Sequence, residues 1–409
     1  MTAPRKPLSR DVTTLGWISF FNDVSSEMVY PLLPLFTIVV LDASATSLGW
    51  IEGGAQASVA ILTAWAGLRS DRIRRRVPYV RWGYGLPLLG KGVLALAFAW
   101  PMVLLGRVID RVGKGLRSGP RDALIADVTD ASDRGRAFGL HRAMDSAGAV
   151  VGVLLAALLL WWFTGTPIEH ASVTESQRTA SAFRTIFAVA AGIGIVALAL
   201  TWRLREPVIA EAAPGARPLE RKPSRSFWIV MALLLVFSLA NSSDTFLLLR
   251  AAHVGLAPWA IVLLYALFNF VYMLGSYPAG VLSDRFGRWR MIAIGWVIYA
   301  GVYLLLAQTG AVAIWPILML YGLQLAITDG VGKALLVDHA PRGRRGFAFG
   351  IFYMASGATA LASSVIAGLL WDRVGPDAPF WFGGAVASVA VVLLLVIRPW
   401  RLARSDAPP

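Results

Sequence analysis

The chain has 409 residues, of which 57% are hydrophobic and only 15% are charged, and it contains no cysteine. Its mean hydropathy is +0.63, yet its formal net charge is +14. Because soluble globular chains are about 25% charged, this composition excludes an ordinary water-soluble protein. The absence of cysteine excludes disulfides, thiolate metal sites and cysteine nucleophiles.

Twelve apolar stretches are long enough to cross a bilayer, since a spanning helix needs about 20 mostly apolar residues. None shows the two-residue alternation of a membrane barrel. The sequence therefore predicts an all-α integral membrane protein. We number the stretches spans 1 to 12, and they cover about residues 13–41, 46–69, 79–99, 101–126, 136–163, 183–203, 227–250, 257–283, 290–308, 312–338, 347–371 and 378–398.

The basic residues predict the orientation of the chain. With the N-terminus inside, the cytoplasmic segments carry 26 Lys and Arg residues, whereas the outer loops carry only Arg178 and Arg373. By the positive-inside rule, both termini are expected to be cytoplasmic, in the inner (plasma) membrane of a bacterium. The positive net charge is then explained by cytoplasmic loops that face anionic lipid and orient the chain, so no nucleic-acid partner is expected.

The two halves of the chain repeat each other at a distance of about 211–213 residues. The segment GLRSDRIRRR (67–76) matches GVLSDRFGRW (280–289), and ADVTDASDRGRAFG (126–139) matches VDHAPRGRRGFAFG (337–350). Repeated groups of six spans imply two pseudo-symmetric six-helix bundles. We predict an N-terminal bundle at 1–203, a cytoplasmic linker at 204–226 and a C-terminal bundle at 227–409.

The first pair of repeated segments resembles the cytoplasmic loop motif of the major facilitator superfamily, Gly-x-x-x-Asp-Arg-x-Gly-Arg-Arg/Lys. The motif begins at Gly280 in the second half and at Gly67 in the first, where Arg74 replaces its second Gly. The resemblance implies a secondary transporter that works by alternating access, not an enzyme. It also implies a gate latch in these loops, unless their charges only orient the chain. The gating candidates are Asp71, Arg72, Asp284, Arg285 and Arg288.

Span 1 places carboxylates inside the membrane. Asn22 and Asp23 lie near mid-span, and Glu27 and Tyr30 share the helical face of Asp23. An ionisable side chain at mid-bilayer costs about 2.5–3.5 kcal/mol on insertion scales, so it calls for a function. Two carboxylates one turn apart repel each other, which suits a proton-coupling or cation site. Asp23 and Glu27 are the proton-coupling candidates, unless a neighbouring Arg satisfies them structurally.

Spans 7 and 4 supply further polar groups. Span 7 carries Asn241 and Asp244, and the resemblance places spans 1 and 7 across a central cavity. Span 4 carries a charged stripe, whose bases either bind an anionic group or balance nearby acids in a structural network. The predicted substrate-binding residues are Asn22, Asp23, Glu27, Tyr30, Asn241, Asp244, Arg107, Arg111 and Lys114.

These features predict a monomeric secondary active transporter in a lipid bilayer, with proton-coupled export of a small molecule by antiport as the leading function. Gly148 and Gly152 of span 5 resemble a motif of the family's proton-coupled exporters, or serve helix packing. The alternatives are export of a divalent metal ion through the oxygen-rich residues, or organic-anion transport using the span 4 bases. Since no phosphate-binding loop is present, no nucleotide and no other cofactor is expected.

Overall fold

The computed structural model describes residues 9–73, 75–129, 134–164, 173–206, 225–339 and 345–398. Within these ranges the chain is helical and contains no strand. Its α-helices are α1 (Arg10–Glu27), α2 (Leu33–Leu35), α3 (Ala45–Ile73), α4 (Val77–Ala95), α5 (Trp100–Asp127), α6 (Arg134–Thr164), α7 (Val173–Leu200), α8 (Arg225–Ala240), α9 (Thr245–His253), α10 (Pro258–Phe286), α11 (Arg288–Leu306), α12 (Ile314–His339), α13 (Arg345–Arg373) and α14 (Ala378–Ile397).

Every predicted span corresponds to helical structure, which confirms the all-α membrane fold with twelve spans in two halves. In the described part of the chain, eight segments are both long enough and apolar enough to cross a membrane. Spans 2, 3, 4 and 10, which correspond to α3, α4, α5 and α12, are not among these eight, and the apolar stretch of α12 is the shorter segment Ile314–Asp329. The reason is clearest in α5, because its charged stripe lowers the mean hydropathy of the whole helix.

Spans 1 and 7 are not the continuous helices that the sequence predicts. The helix α1 ends at Glu27, and a 3-10 turn (Tyr30–Leu32), the short α2 and a π-helical segment (Phe36–Val40) follow it. Pro31 and Pro34 lie in this stretch and cannot donate a backbone hydrogen bond. In the second half, α8 and α9 are separated by the non-helical residues 241–244. Both interruptions lie beside the polar residues that the sequence singled out.

The chain divides into two compact units. The first comprises Met1–Asp42 and Gly54–Ala212, and the second comprises Ala43–Gly53 and Ala213–Pro409. The helix α3 therefore belongs to both, with its first turns in the second unit. Buried apolar side chains hold each unit together. They include Val12, Leu15, Val80, Tyr84 and Leu124 in the first unit, and Val230, Trp296, Ile327 and Leu394 in the second.

The contact of α6 with α1 depends on glycine, and the contact of α13 with α3 depends on a carboxylate. In the first unit, α6 lies so close to α1 that a Cβ on Gly152 would be 2.4 Å from the carbonyl oxygen of Val24. In the second unit, Asp372 near the end of α13 accepts hydrogen bonds from the backbone N–H groups of Ala45 (2.9 Å) and Thr46 (2.8 Å). This carboxylate caps the N-terminus of α3, where a negative charge is stabilising.

Candidate functional site

A cluster of charged side chains is buried in the first unit, and Asp110 of α5 lies at its centre. The carboxylate of Asp110 is 3.8 Å from Lys91 Nζ, 3.8 Å from an Arg107 Nη and 3.2 Å from Arg111 Nε. Lys91, on α4, also donates a hydrogen bond to Ser26 Oγ at 3.2 Å. The charge cluster comprises these residues together with Arg117 and Lys114 of α5, Asp23 and Glu27 of α1, and Asp145 of α6.

Two arginines of the charge cluster are held by aromatic rings and backbone. The Arg107 guanidinium lies 5.3 Å from the centre of the Tyr30 ring, so two predicted site residues meet. The Arg117 guanidinium lies 4.7 Å from the centre of the Tyr84 ring, and it donates to the carbonyl of Gly83 at 2.9 Å. Such contacts fix a buried cation in place and offset part of its desolvation.

Asp23 and Asp145 form a carboxyl pair between α1 and α6. Their carboxyl groups lie within hydrogen-bonding reach of each other. Asn22 Nδ2 donates to Asp23 at 2.9 Å, and Ser19 Oγ donates to Asp145 at 2.5 Å. Because ionised carboxylates only accept hydrogen bonds, a hydrogen bond between the two carboxyls forms only when one of them carries a proton. Glu27 also lies near enough for its charge to act on Asp23, but Asp145 acts on Asp23 more strongly.

Lys91 and Asp145 were not among the predicted site residues, although both carry a sequence signal. Lys91 is a single charged residue in the middle of span 3, and it is buried. Asp145 lies in span 5 close to the glycines Gly148 and Gly152. An intramembrane charge is a candidate functional residue by default.

A second polar cluster lies in the second unit, at the interruption between α8 and α9. Asp244 accepts a hydrogen bond from the Tyr321 hydroxyl at 2.5 Å. The Tyr299 hydroxyl donates to the carbonyl of Ala240 at 2.9 Å and lies 3.4 Å from Asn241 Oδ1. The tyrosine thus satisfies a carbonyl that the broken helix leaves without its usual partner.

The five oxygen and amide residues of the predicted ring are distributed over the two units. Asn22, Asp23 and Glu27 belong to the first unit, and Asn241 and Asp244 belong to the second. Among the residues that the structure describes, no group of three or more His, Cys, Asp or Glu side chains is placed to hold a metal ion.

The gating candidates are described only in part. Arg72 and Arg285 are exposed and Arg288 is half-buried, while the side chains of Asp71 and Asp284 lie outside the described part. The motif Gly287 has a φ of +91°, a conformation that favours glycine. The residue that replaces this glycine in the first half, Arg74, also lies outside the described part, so the latch stays a prediction.

The loop after α3 is held to its own unit by residues that the motif did not indicate. Arg76 forms an ion pair with Asp127 at 3.3 Å and donates to Ser70 Oγ at 2.9 Å. The carboxylate of Glu206 accepts hydrogen bonds from the backbone N–H groups of Arg76 and Val77. Glu206 therefore caps the N-terminus of α4 from a distant part of the chain.

Twelve helical spans in two halves, with charged clusters buried among them, define a multi-pass membrane transporter and not an enzyme. The sequence profile of the Major Facilitator Superfamily matches residues 15–327 and 245–408. The chain belongs to that superfamily, which confirms the resemblance seen in the loop motif.

Three known proteins show how similar this chain is to other members of the superfamily and to a solved transporter structure. An uncharacterized MFS-type transporter of Methanocaldococcus jannaschii is 31% identical over 403 residues, which cover 96% of each chain. The quinolone resistance protein NorA of Staphylococcus aureus is 20% identical over 96% of this chain and 98% of its own. The crystal structure of a D-xylose-proton symporter superposes with a TM-score of 0.70 at 18% identity, covering 94% of this chain and 95% of that one.

Proposed function

We propose that this transporter couples the export of a small organic molecule to protons, and that Asp23 and Asp145 carry the proton. The observation that carries the proposal is the approach of two carboxyls between α1 and α6, where Asn22 donates to Asp23 and Ser19 donates to Asp145. A pair that shares one proton has two states, because removing the proton leaves two adjacent negative charges that repel each other. Uptake of that proton therefore removes a repulsion between α1 and α6, and its release restores the repulsion.

The surroundings of the pair suit reversible protonation. Asn22 donates a hydrogen bond to one carboxyl and Ser19 donates to the other. Each carboxyl therefore keeps a hydrogen-bond donor whether or not the pair holds a proton. Arg117 is close enough to act on Asp23 and is itself held by Tyr84 and Gly83. A fixed positive charge beside the pair stabilises its deprotonated form without moving.

The direction of transport is supported by one relative. NorA is named for quinolone resistance and matches nearly the whole chain, and removal of a compound from the cytoplasm gives resistance to it. We place both termini in the cytoplasm of a bacterial cell, because the basic residues lie almost entirely in the corresponding loops. In that orientation an inward proton gradient drives export by antiport.

The test uses the purified protein in liposomes with an imposed pH gradient and norfloxacin, a quinolone, as the probe. The wild type is expected to move norfloxacin and protons in opposite directions, reported by quinolone fluorescence and an internal pH dye. Asp145→Asn and Asp23→Asn are expected to abolish norfloxacin-dependent proton movement, because the single remaining carboxylate has no like charge beside it to favour uptake of a proton.

Two further variants make the result specific. Asp122→Asn removes a half-exposed carboxylate of α5 that is paired with Arg121, and it is expected to transport as the wild type does. Glu27→Gln distinguishes the Asp23–Asp145 pair from the Asp23–Glu27 pair that the sequence suggested. Wild-type proton movement in both Asp145→Asn and Asp23→Asn would refute the assignment, and loss in Glu27→Gln alone would transfer the role to Glu27.

A further inference from the structure

We propose that the charge cluster binds zwitterionic substrates, with Arg111 and Lys114 taking a carboxylate and the Asp23–Asp145 pair taking an amine. The proposal rests on the transport function above and names the substrate class of that site. It follows from a difference among the cations of the cluster. Most have internal partners, whereas Arg111 and Lys114 have hydrogen-bonding groups left over.

Three cations of the cluster are already satisfied. Lys91 is bound by Asp110 and Ser26. Arg107 is bound by Asp110 and lies over the Tyr30 ring. Arg117 is bound by the Gly83 carbonyl and the Tyr84 ring. All three are buried, so their contacts account for their presence without a substrate.

Arg111 and Lys114 differ from the other three. Arg111 forms an ion pair with Asp110 through Nε. Among the residues that the structure describes, this buried Nε makes no hydrogen bond, and the two terminal amino groups of Arg111 have no hydrogen-bond or ion-pair partner. In the same part of the chain, the ammonium of Lys114 has neither, although its side chain is exposed. The two residues are three positions apart, so they lie on the same face of α5 with like charges side by side. An anion between them removes this repulsion and supplies the missing acceptor.

The exposed Lys114 does not lie on the lipid-facing side of α5. Leu105, which is exposed on α5, is nine positions away and therefore on the opposite side of the helix. The flanks of α5 are covered, because a Cβ on Gly113 would be 2.5 Å from Pro87 of α4 and one on Gly115 would be 2.8 Å from Leu62 of α3. The remaining side of α5 carries Arg111 and Lys114, and from there Lys114 lies within electrostatic reach of the α1 carboxylates.

The two halves of the site are adjacent. Lys114 lies within electrostatic reach of Asp23 and Glu27, so one small molecule with charges of both signs can reach both halves. Basic side chains outnumber acidic ones in the charge cluster, and the pair loses one negative charge when it shares a proton. The protonated site therefore attracts the carboxylate, and the amine of the same molecule displaces the proton from the pair. Displacement of a proton by substrate is the requirement for antiport.

The experiment measures binding to the purified protein in detergent with three matched probes. Norfloxacin carries a carboxylate and an amine, its methyl ester keeps only the amine, and its N-acetyl derivative keeps only the carboxylate. Binding is followed by the rise in unfolding temperature and by titration of the quinolone fluorescence. Norfloxacin is expected to bind at least about tenfold more tightly than either derivative, because one charge-assisted hydrogen bond usually contributes that much to affinity.

Variants assign each charge to its partner. Lys114→Gln is expected to bind norfloxacin as weakly as the wild type binds the ester, while Lys114→Arg restores the difference. Asp145→Asn is expected to bind norfloxacin as weakly as the wild type binds the N-acetyl derivative. The matched control is Arg203→Gln, which removes a positive charge from an exposed position outside the cluster.

Several outcomes would overturn the proposal. Equal binding of norfloxacin and its ester by the wild type excludes the carboxylate site, as does an equal loss of both in Lys114→Gln. No binding of any of the three probes also refutes it. Because no gradient is involved, this test is independent of coupling. Charge-selective binding without proton movement leaves the zwitterion site standing and refutes proton coupling, whereas proton movement without charge selectivity does the reverse.

Discussion

Arg250 shows how a single intramembrane charge can serve structure alone. It lies in α9 and donates to the carbonyls of Leu306 (3.0 Å) and Ala307 (3.1 Å), where α11 ends. It also forms an ion pair with Asp377 at 2.5 Å. Cations stabilise helix C-termini because the last carbonyls lack partners. The contacts of Arg250 thus account for its charge without a substrate. Arg111 and Lys114 differ from Arg250 because their contacts leave donor groups without acceptors in the described part of the chain.

The structural role of Arg250 predicts a loss of stability. Arg250→Met keeps much of the volume but leaves two buried carbonyls without donors, so it is expected to destabilise the protein by about 3 kcal/mol. Asp377→Asn is expected to cost less than about 1 kcal/mol, because the Asp377 side chain is 54% exposed. Thermal unfolding in detergent measures both variants. An equal effect of the two would show that the ion pair and not the capping of α11 is the stabilising contact.

At the scale of elements, the first helices of the two halves are both interrupted, and at related positions. Residues 67 and 280 of the loop motif are 213 positions apart, and the same distance relates Met28, directly after α1, to Asn241, directly after α8. Hydropathy alone predicted continuous spans here, because Met28 and Val29 are apolar and the polar residues 241–244 are few. The same correspondence shows that Asp244 is matched to Pro31, so the carboxylates of the two halves are not repeat-related.

The contact of α6 with α1 gives a second prediction. A Cβ on Gly148 would be 2.3 Å from the Phe20 carbonyl oxygen, and Val24 is in the same relation to Gly152. These α1 residues flank Asp23, so Gly152→Ala is expected to push the helices apart, lower the unfolding temperature and impair proton coupling together. The control is Gly192→Ala in α7, where a Cβ meets nothing within 4 Å. Normal stability in Gly152→Ala would contradict the packing.

The sequence predicted much of this arrangement but not all of it. Span positions, helical structure and the buried charges of α1 and α5 follow from hydropathy and the cost of intramembrane charge. The partner of Asp23 could not be predicted, because Asp145 is distant in sequence and meets Asp23 only when Gly148 and Gly152 bring α6 against α1. The capping of α3 by Asp372 could not be predicted for the same reason, since it joins ends of two helices far apart in the chain.

At the scale of the whole molecule, α3 is the one described helix that the two units share. Its first turns, up to Gly53, belong to the second unit, and the rest, from Gly54, belongs to the first. The shared helix changes unit between two adjacent glycines. Glycine weakens a helix by about 1 kcal/mol relative to alanine, and paired small residues are frequent sites of bending.

This division predicts opposite effects on stability and on transport. In Gly54→Ala the new Cβ would be 3.6 Å from Leu104, an ordinary contact. The variant is therefore expected to gain up to about 1 kcal/mol in stability, and to transport norfloxacin more slowly. Gly53→Ala places its Cβ 2.8 Å from the Leu361 Cα and is expected to lose stability. Unchanged transport in a stabilised Gly54→Ala would show that α3 does not bend there during the cycle.

The capping of α3 by Asp372 has an electrical consequence. The carboxylate neutralises the positive end of the α3 dipole only while the first turns of α3 remain against α13. If those turns separate from α13, the helix end loses its compensating charge and the carboxylate loses its two hydrogen-bond donors. The two separating charges make the equilibrium between conformations sensitive to ionic strength outside the membrane, so added salt favours the separated arrangement by screening the attraction between them.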